Sequence, residues 1–111
     1  MLLAIDVGNT NTVFAIHDGA SILVQWRCAT EHERTADQYY VWLWNLMQVN
    51  KIEDTIDRVV ISSVVPQVVF NLRVLSDKYF HCRPVVVGKP EVELGVPVRV
   101  DQGTLVGADR L

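Results

Sequence analysis

The sequence predicts an α/β fold on a mixed sheet, with elements in the order βββαβαβ. Three observations carry that expectation. The chain opens with three β-like runs joined by short polar turns, two later stretches repeat apolar residues at helical spacing, and each of those stretches is followed or preceded by a short β-branched run.

The first run, Leu2 to Ile5, is apolar throughout and leads directly into Asp6. Val13 to His17 reads as the second strand, and Asp18-Gly19 favours a tight turn with positive φ into a third, Ile22 to about Cys28. Thr35-Ala36-Asp37-Gln38 has the spacing of a capping box, after which Tyr39, Tyr40, Leu43, Leu46 and Met47 recur at helical intervals until Asn50. Trp42 and Trp44 are expected to widen the buried face of that helix. Arg58 to Ile61 looks like a fully buried strand ended by Ser62-Ser63, and Pro66 opens a second helix over Gln67 to Tyr79. Arg83 to Val87 is the last strand, closed by Gly88 and Pro90.

Strands separated by helices pair in parallel through right-handed crossovers, so the strands beginning near Leu3, Arg58 and Arg83 are expected side by side. In such sheets ligands gather beyond the carboxyl ends of the parallel strands. Those ends are Asp6, the Ser62-Ser63 pair and Gly88.

With 111 residues, half of them hydrophobic, the chain can bury one modest core. A net charge of −3 with the two signs interspersed gives no basic stripe, which argues against nucleic acid or an anionic membrane as partner. The N-terminus carries neither a positive lead nor a long apolar run, so neither a signal peptide nor a membrane span is expected and the cytoplasm is the default location. Cys28 and Cys82 lack metal or redox spacing and read as buried free thiols, while His17, His32 and His81 stand in no orienting motif and read as surface or edge residues.

Asp6-Val7-Gly8-Asn9-Thr10-Asn11-Thr12 brings a carboxylate, a glycine and a block of small hydrogen-bonding side chains to the end of a strand. Two readings compete: an ordinary hairpin turn, or a phosphate-and-metal turn in which backbone N–H groups and neutral side chains meet an anion. The convergence of three strand ends on one place favours the second. No P-loop and no dinucleotide fingerprint occurs. Position 8 is glycine, where a phosphoaspartyl enzyme would want an acid, so Asp6 is better placed as a metal or water-mediated phosphate anchor than as a nucleophile. Ser62 and Ser63 lack the nucleophile elbow. Near the end of the sequence, Gly107-Ala108-Asp109-Arg110 looks like the start of a helix; taken alone, Asp109 reads as a first-turn acid and Arg110 as a surface cation. A helix starting there has barely one turn before Leu111, so the natural protein is expected to continue.

Asp6 to Thr12, Ile61-Ser62-Ser63-Val64-Val65-Pro66 and Gly107-Ala108-Asp109-Arg110 together resemble, in order and spacing, the N-terminal half of type III pantothenate kinases, over Met1 to Leu111. The resemblance implies a ribonuclease-H-like subdomain, the first of two enclosing ATP, as in the sugar kinase, actin and heat-shock chaperone superfamily. It implies transfer of the ATP γ-phosphoryl group to pantothenate, the first step of coenzyme A synthesis, by cytoplasmic homodimers that use Mg²⁺ and K⁺ or ammonium. Carried over by position, Asp6, Val7, Gly8, Asn9, Thr10, Asn11, Thr12 and Val13 resemble the ATP phosphate-binding loop, with Asp6 near the metal. Gly107, Ala108, Asp109 and Arg110 resemble the pantothenate-binding motif, with Asp109 as catalytic base. Where many relatives carry a Tyr and an Asn-Pro pair, this chain has Val100 and Asp101-Gln102-Gly103, a departure that leaves one substrate contact of the family open. A non-catalytic transcription accessory protein and an actin-like assembly module are the competing readings of the same fold.

Overall fold

The computed structural model describes residues 1–63 and 65–88. The elements are β1 (Leu2–Val7), β2 (Asn11–His17), β3 (Ile22–Ala29), α1 (Ala36–Val49), β4 (Arg58–Ser62), α2 (Pro66–Tyr79) and β5 (Val85–Val87), the expected βββαβαβ order. They form one five-stranded sheet ordered β3-β2-β1-β4-β5. β1, β2 and β3 are an antiparallel meander, whereas β4 pairs in parallel with both β1 and β5, so the sheet is mixed.

Alternation along the strands decides what lies where. Leu3, Ile5, Val7, Phe14, Ile16, Val59 and Ile61 are buried in one cluster with Tyr39 and Leu43 of α1 and Val68, Leu72 and Leu75 of α2. Both helices therefore cover the same face of the sheet. Removing each of these large side chains from water is worth about 1.5–3 kcal/mol, the main force that holds the layers together. Phe14 meets α1 directly, its ring 5.8 Å from that of Tyr39 and 5.2 Å from that of Trp42. No described helix covers the opposite face, where β1 places Ala4 and Asp6.

The helix starts follow their sequence signals. Thr35 accepts from the Gln38 backbone N–H at 3.2 Å, and the Gln38 side chain accepts from the Thr35 N–H at 2.8 Å, the reciprocal capping box. Pro66 occupies the first turn of α2, where its missing N–H costs nothing. Gly19 takes φ +103° in the loop between β2 and β3, where Asp18 accepts from the Ala20 and Ser21 N–H groups.

Several boundaries differ from expectation. β1 runs on through Val7 and β2 begins at Asn11, because the hairpin ladder closes around only three residues. β5 is shorter than Arg83 to Val87, since Pro84 has no N–H to give the ladder. Trp42 packs on the core, but Trp44 is 48% exposed; residues two apart on a helix point about 200° from one another, so both indoles cannot share one face. Cys28 and Cys82 are free, yet half-buried where full burial was expected. The segments Val98 to Gly103 and Gly107 to Leu111, with their expected substrate residues Gly107, Ala108, Asp109 and Arg110, lie outside the described residues.

Candidate functional site

Asp6 lies within β1, one residue before its end, and its Cα partners are Val13 on β2 and Ser62 on β4. Ile5 and Val7 point into the core, so strand alternation turns Asp6 to the helix-free face. Ala4 and Ala15, partners on that face, are small enough to leave room beside it. Ser62 shares the face and pairs onward with Val87, whose successor Gly88 ends β5. The three expected strand ends do converge.

The turn after β1 is built from its carbonyls inward. The Gly8 N–H donates to the Asn11 carbonyl at 2.9 Å, and a Cβ added at Gly8 would stand 3.0 Å from that same oxygen, so the tightness of the turn itself requires glycine. Thr30, just past β3, holds two further carbonyls: its hydroxyl donates to the Gly8 oxygen at 2.8 Å and its N–H to the Thr10 oxygen at 2.8 Å. Thr12 is fully buried on the helix side, with its hydroxyl 2.8 Å from that of Thr30. Since the one Thr30 proton is given to Gly8, Thr12 is the donor in this pair.

That wiring has a chemical consequence. In a planar trans peptide the N–H points opposite to the preceding C=O, so tying the Gly8 carbonyl to Thr30 sends the Asn9 N–H the other way. Among the described residues the backbone N–H groups of Asn9 and Thr10 donate to no protein acceptor, and Gly8, Asn9, Thr10 and Asn11 are exposed. Carbonyls bound inward and amides left outward make a concavity that suits an anion such as phosphate.

Ser62 is 4% exposed, and its hydroxyl has no hydrogen-bond partner among the described residues. Ser63 is engaged locally: its N–H donates to the Val87 carbonyl at 3.0 Å and its Oγ accepts from the Val65 N–H at 2.9 Å. An open groove of about 340 Å³ lined by Ser63, Pro66, Val69, Phe70 and Arg73 runs from this point along α2. No turn residue lines this groove.

Among the described residues no three His, Cys, Asp or Glu side chains gather to hold an ion. A strand-borne carboxylate beside a turn with outward amides would suit Mg²⁺, which takes one or two carboxylates and fills its octahedron with water and phosphate oxygens. It does not fit zinc. Burial pushes the Cys28 thiol up despite the adjacent Arg34 guanidinium, and burial likewise raises Cys82, so neither is a ready thiolate.

Thr30 is the residue that motif reading missed. It stands in no motif, and the one available signal was a polar residue ending a strand predicted to lie beside the polar turn.

A mixed sheet ordered β3-β2-β1-β4-β5, with two helices on one face and a polar turn after its central strand, is an α/β fold whose strand order is consistent with the ribonuclease-H-like class. The family model of type III pantothenate kinase matches residues 2–111, and the chain belongs to that family. It is 71% identical to the type III pantothenate kinase of Dinoroseobacter shibae, 65% identical to one from Cereibacter sphaeroides and 58% identical to that of Paracoccus denitrificans. Each match covers all of this chain and 43% of the relative, so the chain spans less than half the length of these curated relatives. Among solved structures it overlays on the Lmo2764 protein of Listeria monocytogenes, at 12% identity over 77% of this chain and 34% of that one. The TM-score of 0.46 is too low to bear on the assignment.

Proposed function

We propose that the complete protein transfers the γ-phosphoryl group of ATP to the hydroxyl of pantothenate, giving 4'-phosphopantothenate, the first step of coenzyme A synthesis. The observation that carries this reading is the family match over residues 2–111, joined to a turn whose Gly8 and Thr10 carbonyls are held by Thr30 and whose Asn9 and Thr10 amides bond to no described acceptor. Residues 1–111 are the first of two subdomains. The segment Asp6 to Val13 receives the phosphates of ATP: the Asn9 and Thr10 amides meet phosphate oxygens, and Gly8 permits the tight turn that presents them. Asp6 is the carboxylate that anchors Mg²⁺, directly or through its water. The metal, when bound, neutralises phosphate charge.

Phosphoryl transfer requires positioning and charge stabilisation more than covalent help. Asp109 accepts the proton of the attacking hydroxyl, and Gly107, Ala108 and Arg110 hold pantothenate, Arg110 through its fork of donors. The complete enzyme works in the cytoplasm as a homodimer and uses K⁺ or ammonium. No helix among the described residues is long and apolar enough to cross a membrane. Because this chain spans 43% of the length of its kinase relatives, the 111-residue piece alone should not turn over.

The test follows ADP release from the complete gene product with and without pantothenate, and with K⁺ replaced by Na⁺. Pantothenate-dependent release that rises with K⁺ supports the reading. ADP release indifferent to pantothenate would overturn it.

A further inference from the structure

We infer that Thr30 is a positioning residue for nucleotide binding: by holding the Gly8 carbonyl it aims the Asn9 amide at the phosphates, and by holding the Thr10 carbonyl it fixes the far side of the turn. The inference rests on the phosphate reading of the turn and adds a residue outside every motif that reading uses.

Thr30 contributes three of the hydrogen bonds that shape the site, from its N–H to Thr10, from its hydroxyl to Gly8, and to its hydroxyl from Thr12. It lies 22 residues from Gly8 in sequence, so the turn cannot hold this shape by local bonding alone. Thr30 is itself held from both sides. Before it, Ala29 pairs with Asn11 across β2 and β3. After it, Arg34 reaches back to the Ala29 carbonyl at 3.2 Å and the Cys28 sulfur at 2.8 Å, and pairs with Glu31 at 3.0 Å. The turn is thus fastened to a braced segment, which is how a binding loop is kept in shape before its ligand arrives.

A purely structural role makes a different prediction. The Thr12 and Thr30 hydroxyls are a matched pair, and replacing both with valine exchanges them for apolar groups of the same shape, a change that is nearly neutral for folding. Folding would recover in the double variant, but the Gly8 carbonyl would still be released and the turn misaimed.

The experiment titrates ATP into the complete gene product by calorimetry and measures KM for ATP, KM for pantothenate and kcat. Thr30→Val is expected to weaken ATP binding about tenfold or more, with KM for pantothenate unchanged. Thr30→Ser, which keeps the hydroxyl, should bind ATP as the parent does. The Thr12→Val/Thr30→Val pair should melt near the parent temperature while ATP binding stays weak. Recovery of ATP affinity in the double variant, or parental affinity in Thr30→Val, would overturn the assignment. Should ATP affinity follow Thr30 as stated while pantothenate goes unphosphorylated, the acceptor reading alone fails and the Thr30 assignment stands.

Discussion

Asp6 and Ser62 are Cα partners at the last register step of the parallel β1–β4 pair, which places their side chains on one face of the sheet at the mouth of the proposed site. The Ser62 hydroxyl is buried and unpaired among the described residues, an arrangement that costs folding about 1–3 kcal/mol. Unpaired polar groups of this kind concentrate where a ligand completes them.

Ser62→Ala removes the orphan group without leaving a large cavity. Its expected effect on the complete protein is unchanged or higher stability, by up to about 1 kcal/mol, read from urea unfolding. A loss of more than that would show that the hydroxyl has a partner in the fold.

The two tryptophans of α1 should behave in opposite ways. Trp42→Ala breaks the edge contact with Phe14 and opens the core, at a cost of about 3–5 kcal/mol. Trp44→Ala changes a half-exposed residue on the outer face and should fall within about 0.5 kcal/mol of the parent. Paired thermal melts decide the point, and equal losses would mean that the helix is rotated from the orientation described.

A pH-dependent clasp joins the two helices. Lys78 Nζ lies 2.8 Å from Asp37 Oδ1, and the Tyr79 hydroxyl donates to the same oxygen while its ring stacks on Tyr40 at 4.0 Å. The hydrogen bonds from Lys78 and Tyr79 hold the Asp37 carboxyl below its ordinary 3.8. The bond to Asp37 raises Lys78 above its ordinary 10.5. A depressed carboxylate stabilises above its unfolded value and loses that contribution as pH falls through the folded one; a raised lysine stabilises below its unfolded value and loses it as pH rises. The clasp is therefore fully made between those limits and fails outside them. Titrating Asp37 by NMR in the parent and in Lys78→Met should show the carboxyl moving up towards 3.8 in the variant. An unmoved carboxyl would mean that the exposed pair is not formed in solution.

Asp109→Asn in the complete protein is expected to reduce kcat at least about a hundredfold, the ordinary contribution of a positioned base, with ATP affinity and melting temperature retained. Undiminished turnover would remove Asp109 from that role.

Much of this could be read from the chain before any coordinates. Leu3, Ile5, Phe14 and Ile16 alternate, Thr35 and Gln38 stand three apart, and Pro66 precedes a helical pattern; each of these signals acts between residues close in sequence. The strand order was also within reach, because a helix between two strands almost always brings them back in parallel. Trp44 was misjudged because apolarity alone does not tell which side of a helix a residue occupies when its neighbours are apolar all round.

Local spacing was enough to specify the elements, their order and the identity of the polar turn, since backbone hydrogen bonding and side-chain periodicity are short-range. The family motif was equally legible, being a run of consecutive residues. Which carbonyls of that turn are tied down, and by whom, depended on the fold: Thr30 meets Gly8, and Ser62 meets Asp6, only because sheet pairing brings residues 22 and 56 positions apart into register. No property of either segment alone encodes that meeting. It follows from burying one apolar face under two helices, which aligns the strands and leaves their polar ends together.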